Sequence, residues 1–263
     1  NRKKYDLQSK QLKGTEKRDK YKVYGELINT YGYNLEPGSK ELTALNYYTN
    51  EEITIPLDPT QTPGENAQRY FAKYNKQKRT FEALTELIQE TADDIQYLES
   101  ISNALDIALN EADLAQIKEE LMQSGYIRRK HTKKKVKLTS KPMHYISSDG
   151  YDMYVGKNNL QNEELTFSFA NGNDWWFHAK GAPGSHVIVK SGGDELPDRT
   201  FEEAGRLAAY YSKNRGADKV EIDYIQKKHV KKPNGAKPGF VVYYTNYSLV
   251  IDSDISNIKN VQD

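Results

Sequence analysis

The most regular feature of the chain is a heptad pattern between residues 64 and 110. One register puts Ala67, Tyr74, Phe81, Ile88, Ile95 and Leu109 at position a, and Tyr70, Leu84, Leu98, Leu105 and Ala112 at position d. Only Gln77, Thr91 and Ser102 interrupt that seam. An apolar stripe sustained this far predicts a coiled-coil helix of about 70 Å at ~1.5 Å per residue. Residues 1–32 carry a thinner seam of Leu7, Tyr21, Tyr24, Ile28 and Tyr31, closed by Gly32 and Pro37–Gly38. So polar a helix is stable only against a partner. The simplest partner is the long helix, run antiparallel; the alternative is a second chain. Asn1 opens a basic, helix-compatible stretch without a Met, which reads as a fragment truncated at its N-terminus.

Elsewhere the period shortens to two. Leu42–Tyr48 and Glu51–Leu57 predict a hairpin around Thr49–Asn50, and Pro56, Pro59 and Pro63 punctuate its exit. Residues 111–124 suggest a short helix ending at Gly125. Met143–Ser147 and Tyr151–Val155 flank the turn sequence Ser148–Asp149–Gly150. Asn158–Ala170 includes a short helix, and Asp174–Lys180 and His186–Lys190 are strands. Pro197 and Asp198 open a helix to about Lys213, with Phe201, Ala204, Leu207, Ala208 and Tyr211 on one face. Val220–Tyr224, Gly239–Thr245 and Tyr247–Ile251 complete the strands. The fold class is therefore α+β. Residues 1–125 form a long antiparallel helical coiled coil with a β-hairpin at its tip (about 33–63), and 126–263 a second domain with a mainly antiparallel sheet.

Composition narrows the setting. The chain has no cysteine, so disulfides and thiolate metal sites are excluded and a reducing compartment is the default. No apolar run approaches the ~20 residues of a membrane span, and no signal peptide is visible. A cytoplasmic location follows, with the cell surface as the alternative. Net charge is only +1, but it is unevenly placed. Arg128, Arg129, Lys130, Lys133, Lys134, Lys135, Lys137 and Lys141 crowd one stretch; Lys227, Lys228, His229, Lys231, Lys232 and Lys237 crowd a second. Clustered base on a neutral chain marks an anionic partner, unless these loops are simply solvated.

The candidate chemistry centres on residues 174–186, which hold both tryptophans and two of the five histidines. Strand alternation puts Trp175, Phe177 and Ala179 on one face and Trp176, His178 and Lys180 on the other. The first set suits a core with the second outside, or the reverse. The second, turned outward, suits base stacking with phosphate contact. The bland reading is a pair of histidines fixing a turn. Nothing matches dedicated metal-ligand spacing, and adjacent Ser185–His186 do not imply a catalytic triad. No cofactor, metal or catalytic activity is expected.

Several blocks in order resemble a known family. Ser148–Asp149–Gly150–Tyr151, Tyr154–Val155–Gly156–Lys157–Asn158–Asn159, Asp174–Trp175–Trp176–Phe177–His178–Ala179–Lys180, Pro183–Gly184–Ser185–His186 and Lys231–Lys232–Pro233–Asn234–Gly235–Ala236–Lys237–Pro238–Gly239 are similar to the NFACT-R domain. Leu57–Asp58–Pro59, Asn66–Ala67–Gln68–Arg69–Tyr70–Phe71 and Tyr74–Asn75–Lys76 resemble the coiled-coil domain of the same NFACT family, which includes RqcH, NEMF and fibronectin-binding protein A. The resemblance implies the C-terminal half of a ribosome-associated quality-control factor. Its partners would be the large ribosomal subunit and tRNA, and its parent would support alanine tailing of stalled chains. The candidate RNA contacts, read from the 174–186 stretch and the two basic stretches, are Trp176, His178, Lys180, Ser185, His186, Lys228, Lys231, Lys232, Lys237, Arg128, Arg129, Lys133, Lys134 and Lys135. The alternative is a surface adhesin that binds fibronectin or fibrinogen through the coiled-coil half.

Overall fold

A computed structural model describes residues 1–128 and 139–261. The chain divides into two compact units, Asn1–Ile95 and Gln96–Asp263. The boundary read from the sequence, at 125/126, falls later in the chain than this division.

In the first unit, α1 (Arg2–Gly14) and α2 (Arg18–Tyr31) take the place of one predicted helix. They part where the Thr15 hydroxyl turns back to the Leu12 carbonyl at 2.6 Å. Helix α3 (Pro63–Ile107) starts at a capping box: Thr62 N–H donates to the Glu65 carboxylate (2.8 Å), and Glu65 N–H donates to the Thr62 hydroxyl (3.3 Å). The α1–α2 arm runs antiparallel to α3, since Gln8 meets Thr91, Arg18 lies over Phe81 and Tyr21 stacks near Tyr70. The seam departs from expectation at Leu7, which is 58% exposed, while Gln8 is buried. Gln8 takes the inward position, its side-chain oxygen accepting from the Thr91 hydroxyl at 3.0 Å. The hairpin β1 (Glu41–Asn46) and β2 (Glu51–Pro56) packs Leu42, Ala44 and Ile55 against Leu27, Ile28, Ala67 and Tyr70.

The heptad register fails beyond residue 95. Tyr97, Ile101 and Ala104 turn inward against Ile117 of α4 (Glu111–Gln123), whereas Leu105 and Leu109 are exposed. The neighbour has changed, so the buried face of α3 rotates with it.

The second unit is built on a seven-stranded antiparallel sheet. Its strands are β3 (Met143–Ile146), β4 (Asp152–Val155), β5 (Trp175–Ala179), β6 (Val187–Val189), β7 (Val220–Gln226), β8 (Tyr247–Ile251) and β9 (Lys259–Asn260), in the order β8-β7-β5-β6-β4-β3-β9. One face packs on α6 (Asp198–Tyr210) through Phe177, Val187, Val189, Ala204 and Leu207. The other is covered by a π-helical turn, Leu165–Phe169, and by residues 230–243. Gly239–Thr245 was expected as a strand and is not one. Val241 and Tyr243 lie over the sheet face, held by the Lys231–Val242 bridge and by the Tyr243 hydroxyl, which donates to the Asp223 carboxylate at 2.9 Å. The two-residue strand β9, which pairs with β3, had no sequence signal.

Candidate functional site

The split of β5 into two faces holds, but both faces are covered. Phe177 and Ala179 are fully buried on the α6 side, where Trp175 is partly buried against Phe201 and Tyr224. Trp176 was expected outside. It is 0% exposed, packed with Leu165, Ile188, Ile225 and Val230. The basic loop and the residues after it fold beside this face and bury it. An indole on a sheet has too much apolar area to stay wet when a loop with Val230, Val241 and Tyr243 can cover it. Ser185 and His186 are also buried, and the Ser185 hydroxyl donates to the Gly156 carbonyl at 2.5 Å. Trp176 and Ser185 present no open contact surface, and His186 is reached only through the pocket described next.

The cations have separate fates. Lys180 is exposed and pairs with Glu221 at 2.5 Å. Lys232 pairs with Glu163 at 2.7 Å. Lys237 donates to the Tyr126 hydroxyl (2.8 Å) and sits 4.6 Å from the centroid of Tyr97. Lys228, Lys231 and Arg128 are exposed to solvent. Arg129, Lys133, Lys134 and Lys135 lie outside the described residues.

What the fold does bring together is a small pocket of about 180 Å³. Three segments of the sheet unit shape it. The β5–β6 turn contributes Gly181–Gly184, the covering loop contributes Gly239, Phe240, Val241 and Tyr243, and α5 (Asn159–Glu164) contributes Asn159 and Asn162. His178 and His186 form its floor, with Ser100 and Gln96 on the α3 side. The two imidazoles meet edge to face at 5.4 Å, and Trp176 contacts both, at 5.6 Å and 5.1 Å. The buried Trp176 indole N–H has no hydrogen-bond partner among the described residues.

The asparagines hold the floor in place. Asn162 accepts the His186 backbone N–H at 3.0 Å, and the His186 ring nitrogen Nδ1 shares a 2.8 Å bond with Thr166. Close approach requires two glycines here. A Cβ on Gly156 would lie 2.1 Å from Asn162 Oδ1, and one on Gly239, where φ is +80°, would lie 2.9 Å from Asn159 Oδ1.

Behind them sits a buried polar layer. Helix α4 reverses the usual pattern: Asp113, Gln116 and Glu120 are buried while Leu114 is 48% exposed. Lys157 pairs with Asp113 at 2.6 Å; Asn158 and Gln161 donate to Gln116 at 2.8 and 2.7 Å. Asn159 donates to both Glu120 and Ser100 at 2.8 Å, and Tyr97 donates to Glu120 at 2.9 Å.

Protonation follows burial. Burial pushes His178 down to about 4, against the pull of the Gly184 carbonyl and the Asp223 carboxylate. Burial, and then the neighbouring His178, hold His186 well below its ordinary value. Burial raises Glu120, although Asn159 and Tyr97 oppose it. For Asp113, burial works upward, but hydrogen bonds from Lys157 and Ser140 outweigh it and leave a lowered value. At neutral pH the pocket therefore presents neutral imidazoles, and among the described residues no lysine or arginine lines it.

The sequence reading missed Asn162, Gly239 as a wall, Phe240 and Tyr243. The one signal was the amide-rich run 156–162, too polar and too glycine-bordered for an ordinary helix surface. Among the described residues, no three histidines or carboxylates converge as a metal site would need, and no helix is long and apolar enough to cross a membrane.

Residues 1–140 match the family model for the NFACT N-terminal and middle domains, and residues 141–244 the one for the NFACT protein RNA binding domain. The chain is 42% identical over 263 residues to the Rqc2 homolog RqcH of Streptococcus pneumoniae serotype 2, covering 100% of this chain and 47% of that protein. It is 40% identical over 256 residues to the Rqc2 homolog RqcH of Bacillus subtilis strain 168, covering 95% and 44%. It thus spans about half the length of the curated relatives it matches. A solved structure of the C-terminal part of the fibronectin/fibrinogen-binding protein from Streptococcus suis superposes with a TM-score of 0.74 at 37% identity, covering 97% of this chain and 89% of that one.

Proposed function

The chain belongs to the NFACT family, and from that premise we propose that it is part of a ribosome-associated quality-control factor whose sheet unit binds the RNA of the large ribosomal subunit or its tRNA. The match of residues 141–244 to an RNA-binding domain carries this reading. The relatives named Rqc2 homolog RqcH support the ribosomal setting. Exposed Arg128, Lys228 and Lys231 supply phosphate-contacting charge. The chain acts as a binding module without catalysis of its own, within a longer protein that supports alanine tailing.

The test is cosedimentation of the 263-residue chain with purified large subunits across a salt series. Binding should weaken steeply as salt rises, and Lys228→Ala with Lys231→Ala should flatten that dependence. Binding indifferent to salt, or absent at low salt, would end this reading. A second reading follows from the Streptococcus suis neighbour, a fibronectin/fibrinogen-binding protein. The exposed aromatics Tyr33, Tyr47 and Tyr48 near the hairpin would serve such a contact. A pull-down with immobilised fibronectin that retains nothing would remove it.

A further inference from the structure

The pocket over His178 differs in chemistry from the exposed lysines, and phosphate is a poor fit to it. Among the described residues no lysine or arginine lines it, and its imidazoles are neutral at physiological pH, so those residues offer an entering phosphate no counter-charge for the water it would lose. It does offer flat walls and a directional polar group. Phe240 and Tyr243 form one side; His178, stacked on Trp176 at 18° between ring planes, forms the floor. A neutral imidazole carries one donor and one acceptor nitrogen. His178 lines the pocket, and as a neutral imidazole it has one acceptor nitrogen to offer a ligand N–H. The pocket is smaller than the ~300 Å³ lower bound of drug-sized sites, and one heterocycle is the size it suits.

We propose that this pocket receives a single unstacked nucleobase, stacked against Phe240 and Tyr243 and donating an N–H to His178. Single-stranded RNA is read in this way, by splaying out a base, stacking it on rings and bonding its edge. The proposal rests on the RNA-binding reading and deepens it. Exposed lysines hold the backbone, and the pocket takes one base. The amide layer explains why the pocket stays open. Asn159 is tied to Ser100 and Glu120, and Asn162 to His186, so neither amide can swing in to fill the space.

The test compares a short single-stranded RNA with the same strand lacking its bases, both titrated against the 263-residue chain by fluorescence anisotropy at low salt. The intact strand should bind about ten-fold more tightly, the usual effect of one stacked base. His178→Phe keeps the ring and removes its nitrogens; it should narrow that gap while leaving the abasic strand unchanged. Lys228→Ala with Lys231→Ala should weaken both strands alike. A readout without substitution is the indole N–H spectrum, which has two signals, from Trp175 and Trp176. Free nucleosides should shift the Trp176 signal and leave Trp175 in place. Equal binding of the two strands would overturn the base pocket and leave RNA binding standing. A gap left undiminished by His178→Phe would overturn it too, since the base edge would then be read elsewhere. If neither strand binds, the RNA-binding reading falls and the pocket with it.

Discussion

The helix pair of residues 1–95 and the sheet unit of residues 96–263 treat buried polar groups in opposite ways. In the helix pair the seam is mainly aromatic and aliphatic, and its buried polar groups are separate, among them Gln8 with Thr91, Asn66 bonded to the residues just before α3, and the Gln77 side-chain oxygen. The Gln8–Thr91 contact costs little and fixes register. In the sheet unit an ion pair, a carboxylate and several amides are buried together and bonded to one another. That arrangement is weak as a source of stability, because desolvation offsets most of the attraction. It does hold two glycine-lined loops and α5 around a pocket. Polar residues therefore mark alignment in one unit and site geometry in the other.

The largest expected effect tests the ion pair. Lys157→Met leaves Asp113 charged and buried, and should cost about 3–5 kcal/mol in denaturant unfolding. Both tryptophans belong to the sheet unit, so their fluorescence reports this loss without interference from the helix pair. A loss under ~1 kcal/mol, the scale of an exposed pair, would place Asp113–Lys157 in solvent and break the contrast.

Acid comes next. His178, lowered to about 4, and His186, lower than its ordinary value, bind fewer protons folded than unfolded. Their contribution is fully present above the unfolded value of about 6.5 and is lost as the pH falls from there toward 4. A sheet unit as stable at pH 4.5 as at pH 7, followed by tryptophan fluorescence, would contradict the burial of these rings. Gly156→Ala should follow at about 1–3 kcal/mol, because its new methyl meets the Asn162 amide. The loss should appear with weakened intact-strand binding, since Asn162 holds His186.

Thr91→Val tests the other region. It should cost about 1 kcal/mol, seen as a lower helical melting temperature by circular dichroism with the tryptophan transition unmoved. An equal shift in both transitions would mean that the two units do not unfold separately. The smallest effect belongs to Lys180→Ala, which breaks an exposed pair with Glu221; its unfolding curve should overlay that of the parent chain.

The elements were largely legible because they depend on local period. The heptads announced α3, and alternation announced the hairpin and most strands of the antiparallel sheet. Two-face alternation even sorted Trp175 and Phe177 from Trp176 and His178. Charge was legible as composition but not as availability: Lys232 and Lys237 looked like free contacts and are engaged by Glu163 and by Tyr97 and Tyr126.

The sequence alone determined which residues share a face over most elements, where most of those elements lie, and which family the chain resembles. Only the tertiary structure decided which faces are covered. It buried Trp176 under the basic loop, rotated the seam of α3 once α4 became its neighbour, and turned the polar side of α4 inward. The physical reason is the same in each case. Period is a property of one segment, whereas burial depends on what a distant segment offers, and here residues 156–162 offer amides where a core would offer methyl groups.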